Sequence, residues 1–185
     1  MNRLNRHLFY LVGPMDDPKV IDRGKGWRND ISQFLWGLGA GVLNPCDKPT
    51  HMGQEDDETF KTIMLHKEHG NFEGVSKIVN FIVSIDLHMV DLSNAIIMKV
   101  DKDVHMCGSY FECCYAALEK KPIIVWCPQG KSNLPNWLFG MGMRDEMFFG
   151  SLEEVKEYLE HIHTDVHVDT LGKWRFLDYK KIFNE

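Results

Sequence analysis

Four short, almost wholly apolar runs constrain this chain more than any other feature. They lie at residues 8–12, 42–45, 95–100 and 122–126, and each is followed by a turn or loop and then by helical periodicity. Runs this short, rich in Val, Ile and Leu, read as strands buried on both faces. Strands separated by helical stretches belong to βαβ units, which build a parallel sheet.

Along the chain, residues 8–12 form the first strand, stopped by Gly13-Pro14. Residues 24–41 have helical spacing, with Trp27, Ile31, Phe34, Leu35 and Leu38 on one face. The second strand ends at Asn44-Pro45. A polar loop covers residues 46–58, long enough to be functional rather than idle. A weaker helix is expected over 59–69 and a clear amphipathic one over 77–90, with Asp86 near its end. A third strand, 95–100, precedes a helix over 109–120 whose first turn presents Glu112. A fourth strand, 122–126, is followed by a loop to residue 135, and residues 147–149 suit a short last strand. The Ser151…Glu154 spacing is that of a capping box, opening a helix to about residue 161. The expectation is an α/β single domain over residues 1–185. Its core is a doubly wound, Rossmann/flavodoxin-like parallel sheet of about five strands with helices on both faces. Residues 165–185 form a C-terminal extension that packs on the domain or on a neighbouring subunit. Trp174 and Phe176 in it, with Trp137, are read as exposed aromatics suited to an interface.

The formal charge is −6 with no basic cluster, which argues against a nucleic-acid groove but not against small nucleosides or nucleotides. No apolar run approaches the ~20 residues of a membrane span. Five cysteines, two of them adjacent, and an N-terminus without signal-peptide character suit free thiols in a reducing cytoplasm. His105, Cys107, Cys113 and Cys114 do not have zinc-site spacing, so no metal is expected. His161, His163 and His167 read as surface histidines. Gly13-Pro14 lacks the continuation of a dinucleotide or phosphate-binding loop.

In a parallel α/β sheet, ligands bind beyond the C-terminal ends of the strands. Gly13, Asp101, Gly108, Ser109 and Glu112 fall there. A carboxylate set among aromatic and apolar neighbours, as Glu112 is, can serve as nucleophile or general acid. Asp86, Asp91, Asp101 and Asp103 are its possible acidic partners, and two carboxylates in one cleft can divide the nucleophile and acid roles. The alternative for Asp91 is a turn or cap residue. Gly108-Ser109 could hold a phosphate or a sugar hydroxyl through backbone N–H groups and the Ser hydroxyl. Its plainer reading is a Ser N-cap.

One ordered set of residues carries a family resemblance. It comprises Tyr10, Gly13 and Pro14; Gly26-Trp27-Arg28; Asn44-Pro45; Asp86, Asp91 and Asn94; Gly108, Ser109 and Glu112; and Lys121-Pro122. Together they resemble the nucleoside 2-deoxyribosyltransferase family over most of the chain. The resemblance implies Glu112 as a nucleophile on C1′ of a 2′-deoxynucleoside, Asp86 as the acid that protonates the leaving base, and Tyr10 as the residue orienting Glu112. It implies substrate contacts at Gly13, Asp91, Asn94, Asp101, Gly108 and Ser109. It further implies retention through a covalent intermediate, no cofactor, and a homo-oligomer in which a neighbour completes the pocket. Met106 stands where that family has an Asp on the sugar hydroxyls, and Asp101, Asp103 and Ser109 are the candidates to replace it. Two alternatives remain open: an N-glycosidase of 2′-deoxynucleoside 5′-monophosphates using the same nucleophile, and a non-catalytic nucleotide-binding module.

Overall fold

A computed structural model describes residues 2–15, 20, 22–51, 53–164, 172–176 and 181–182. Five strands, β1 (Leu8–Val12), β2 (Gly41–Leu43), β3 (Ala95–Lys99), β4 (Ile123–Trp126) and β5 (Phe148–Phe149), form one sheet in the order β2-β1-β3-β4-β5, every pair parallel. This is the doubly wound α/β arrangement expected from the apolar runs. Phe9, Leu11, Ile96, Ile97, Ile124 and Val125 are wholly buried, as strands covered on both faces must be. The two edges are only three and two residues long, which limits exposed pairing groups.

The helices are α1 (Lys25–Gly37), α2 (Asp57–Glu68), α3 (Phe72–Leu92), α4 (Cys107–Leu118), α5 (Asn136–Gly140) and α6 (Leu152–Thr164). Helix α1 packs with α6, and α3 with α4. Three helices begin earlier than periodicity suggests, α2 by two residues at Asp57. Helix α3 starts at Phe72, where the Asn71 side chain accepts from the Gly74 N–H and caps it. Helix α4 starts at Cys107, so Glu112 sits in its second turn and Ser109 is helical rather than the N-cap. The five-residue α5 carries no sequence signal, being too short to show a periodicity. The capping box of α6 is displaced by one residue. Ser151 Oγ accepts from the Glu154 N–H, but the Glu154 carboxylate reaches back to Gly150 N rather than Ser151 N.

Three other expectations change. His163 is buried, facing the Leu4 N–H through Nδ1, whereas His161 is exposed. Trp174 is buried rather than exposed: it packs on Phe9 and donates through Nε1 to Tyr158 Oη at 2.9 Å. Phe176 stacks on Trp174 and is half-buried, so residues 172–176 pack on their own domain, while Trp137 is exposed as expected. The remainder of the tail, with Leu177, Tyr179 and Phe183, and also His167, lies outside the described residues.

Arg28 ties the first βα unit together. It is fully buried, and its guanidinium donates to the carbonyls of Gly13 (2.7 Å), Gly24 (3.1 Å) and Leu11 (3.3 Å). Gly24 has a φ of 71°, and a Cβ there would collide with this guanidinium. Arg28 thereby sets the loop after β1 against the start of α1. Arg28→Met strands those carbonyls without a donor. It is expected to lower unfolding stability by roughly 3 kcal/mol, read as an earlier urea midpoint.

A candidate active site at the ends of β1 and β3

A cavity of about 730 Å³ opens beyond the C-terminal ends of β1 and β3. This is where the strand order reverses and where such sheets bind ligands. Three segments supply its polar floor: Gly13 after β1, Met106 to Glu112 at the start of α4, and Asp86 on α3. The hairpin of α2 and α3 forms an apolar wall with Phe60, Ile63, Val79, Ile82 and Val83.

Tyr10 and Glu112 meet at this floor. Tyr10, wholly buried in β1, donates its hydroxyl to Glu112 Oε1 at 2.7 Å. Burial pushes the Glu112 carboxyl up to about 8; the Tyr10 bond pulls it back in part, and the negative charges of Asp86 and Glu55 push it further up. Burial, with Glu112 beside it, raises the Tyr10 phenol well above its ordinary value, so Tyr10 stays a donor. Tyr10→Phe removes the one neutral donor that Glu112 has among the described residues. The acid limb of any reaction that needs the Glu112 carboxylate is expected to move to higher pH. Compared with wild type across a pH–rate profile, the loss is expected to be largest at neutral pH and smallest in alkali.

Asp86 faces the same cavity and is buried. Its carboxyl is pushed up to about 7, first by burial and next by Glu55, against the pull of Lys48. Lys48 stands 2.8 Å from Asp86 Oδ1 and 2.9 Å from Glu55 Oε1, and donates to the Gly53 carbonyl at 2.8 Å. Its side chain is entirely buried. Burial pulls the Lys48 ammonium down, but Glu55 and Asp86 outweigh it and hold it above the ordinary lysine value. Its contact with Asp86 Oδ1 is an ion pair without hydrogen-bond alignment.

Sequence reasoning misses Lys48 and Glu55. Both lie in the polar loop 46–58, whose length is the only signal. Helix α2 takes only the last two residues of that loop, starting at Asp57 and capped by the Asp56 side chain on the Thr59 N–H.

The other candidates divide. Gly13, Gly108 and Ser109 line the cavity. A Cβ on Gly13 would come within 3.0 Å of the Trp27 ring, so the close approach there needs glycine. Asp101 lies at the correct end of β3 but turns away: its Oδ1 accepts from Gln129 Nε2 at 2.9 Å and from the Asp103 N–H. Met106 is buried and lines the cavity where the resemblance would place an acid. Asp91 and Asn94 are not brought to this cavity. Helix α3 ends beside the N-terminal end of β3; there Asp91 accepts from Tyr115 Oη at 2.7 Å and Asn94 Oδ1 accepts from the Leu8 N–H at 2.8 Å. Lys121 also belongs to that end, closing α3 by donating to the Asp91 and Ser93 carbonyls. Among the described residues, no group of His, Cys, Asp and Glu is placed to hold a metal ion.

No protein-family model matches the chain, and no curated protein matches it. Solved structures do. One is the 2-deoxyribosyltransferase of Bacillus psychrosaccharolyticus, at 15% identity over 92% of this chain and 99% of that one, with a TM-score of 0.54. The 2-deoxyribosyltransferase from Leishmania mexicana is 18% identical over 84% of this chain and 98% of that one, with a TM-score of 0.49. The Clostridium botulinum CMP N-glycosidase BcmB is 16% identical over the same shares, also at 0.49. At such identities the likeness is one of architecture: the chain shares the α/β fold of the Bacillus psychrosaccharolyticus 2-deoxyribosyltransferase.

Proposed function

We propose that this protein transfers 2-deoxyribose between nucleobases, with Glu112 as covalent nucleophile and Asp86 as acid and base. The observation that carries the reading is the Tyr10–Glu112 hydrogen bond at 2.7 Å on the floor of a cavity that also presents Asp86. The shared fold with a 2-deoxyribosyltransferase supports it.

The chemistry follows from the two raised carboxyls. The Glu112 carboxylate attacks C1′ while the N-glycosidic pair departs onto the base, and Asp86 gives that base a proton. An incoming base then displaces Glu112 from C1′ and returns a proton to Asp86. Two inversions give net retention. The apolar wall of α2 and α3 disfavours water as the competing acceptor. Turnover needs Glu112 ionised and Asp86 protonated, and their values of about 8 and about 7 make that form a minority that peaks between them.

A second reading has one observation in its favour. The first turn of α4, with Cys107, Gly108 and Ser109, lines the cavity, and a helix N-terminus suits a 5′-phosphate. The reaction is then hydrolysis of a deoxynucleoside monophosphate. The two separate by chromatography. Deoxyadenosine formed from deoxycytidine and free adenine is expected of the transferase; free base released only from a monophosphate, with no acceptor, indicates the hydrolase.

A further inference from the structure

The Lys48 cluster also bears on which base the cavity accepts, an inference that rests on reading the cavity as a nucleobase site. One ammonium serves two carboxylates, so each spends one oxygen on Lys48: Asp86 its Oδ1 and Glu55 its Oε1. Asp86 Oδ1 is sealed from solvent, while Asp86 Oδ2 and Glu55 Oε2 have no protein partner among the described residues. Both residues line the cavity, and each has one carboxyl oxygen on the same fully buried ammonium and a second oxygen that Lys48 does not take.

We propose that Glu55, fixed by Lys48, is the specificity residue of this cavity and selects bases with an exocyclic amino group beside a ring-nitrogen acceptor. The matching occupants are adenine, through N7 and its 6-amino group, and cytosine, through N3 and its 4-amino group.

The argument is one of donor and acceptor pattern. In the bond-breaking step, the glycosidic electron pair goes to the base and the Asp86 proton goes to a ring nitrogen. The neighbouring ring substituent then meets Glu55. With Asp86 as the proton donor in this step, the Glu55 carboxylate beside it serves as the acceptor. An amino group donates to it. Hypoxanthine offers a carbonyl oxygen beside N7, which faces the carboxylate acceptor to acceptor. Uracil carries a hydrogen on N3, so it can neither take the Asp86 proton there nor satisfy Glu55 through its 4-oxygen. Lys48 cannot rescue a keto base, because its side chain is wholly buried and its ammonium is enclosed by the Gly53 carbonyl, Glu55 and Asp86.

The test is calorimetric titration of the whole protein with the free bases adenine, hypoxanthine, cytosine and uracil, on wild type and on Glu55→Gln. Adenine is expected to bind about 10- to 100-fold tighter than hypoxanthine, and cytosine than uracil by a similar factor. Glu55→Gln keeps an acceptor for Lys48 and so keeps the fold, checked by its melting curve. Its amide can also donate to a 6- or 4-oxygen, and the gap is expected to collapse. Equal affinity for amino and keto bases in wild type overturns the proposal, as does absence of binding by all four. A gap that survives in Glu55→Gln removes Glu55 from the role. The outcome is separable from the proposed activity. Turnover without amino preference leaves the transferase reading intact and sinks this one. Amino-selective binding without turnover does the reverse.

Discussion

Glu112→Gln is expected to reduce deoxyribosyl transfer by on the order of 10⁴-fold or more, and to raise the stability of the protein in alkali. The loss follows from removing the group that bonds to C1′; an amide oxygen is too weak a nucleophile. The gain follows from linkage. The folded Glu112 carboxyl titrates at about 8, above its ordinary value, first because burial penalises the charge. Between the ordinary glutamate range and pH 8 the folded state therefore holds a proton that the unfolded state has released. Stability falls as pH rises through that window. Glutamine cannot ionise, yet still accepts the Tyr10 hydroxyl. Thermal melts at pH 6 and pH 9 are expected to show wild type weakening between the two while the variant weakens less. An inactive variant with wild-type pH dependence would mean that Glu112 is not the buried titrating group, and a fully active one ends the proposed mechanism.

Asp86→Asn is expected to cost about 10²–10⁴-fold in kcat on ordinary deoxynucleosides, because the leaving base then departs without its proton. The loss depends on the leaving group. A 7-methylated purine deoxynucleoside carries a base that is already cationic and needs no acid. The Asp86→Asn variant should handle it with far less penalty than it handles deoxyadenosine. Comparing the two donors on wild type and variant isolates the proton transfer from any packing change, since a packing defect lowers both alike. The alkaline limb of the wild-type profile, which exists because Asp86 must be protonated, is expected to vanish in the variant. Lys48 then faces only Glu55, which leaves the cluster neutral and so not under strain of unpaired charge.

The strands and the nucleophile candidate were legible because they are written locally. A run such as Ile96, Ile97 and Met98 has no polar face to expose, and Ile123 to Trp126 is the same. Such segments can sit only inside a sheet covered on both sides. Glu112 was legible because a lone carboxylate follows a strand and a Gly-Ser pair. Its helix begins earlier, at Cys107, since Met106 caps it without a side-chain hydrogen bond that a reader could recognise. Asp86 and Asp91 show the opposite situation. They lie on one helix, close in sequence, and look alike as candidates. The direction in which α3 crosses the sheet puts Asp86 in the cavity and Asp91 on Tyr115 at the other end. Periodicity carries no information about which end of a helix meets the functional end of a sheet.

The chain's sequence by itself determined the layer architecture, the apolar strands and the acid at the start of α4, because hydrophobic periodicity and turn chemistry act over a few residues. Only the tertiary structure decided which polar groups share the cavity. Lys48 and Glu55 come from a loop with no periodicity, and their pairing with Asp86 is set by burial of one ammonium between two distant stretches of chain. The energy of that arrangement comes from desolvation and from charge at a distance, and neither leaves a mark on the order of the residues.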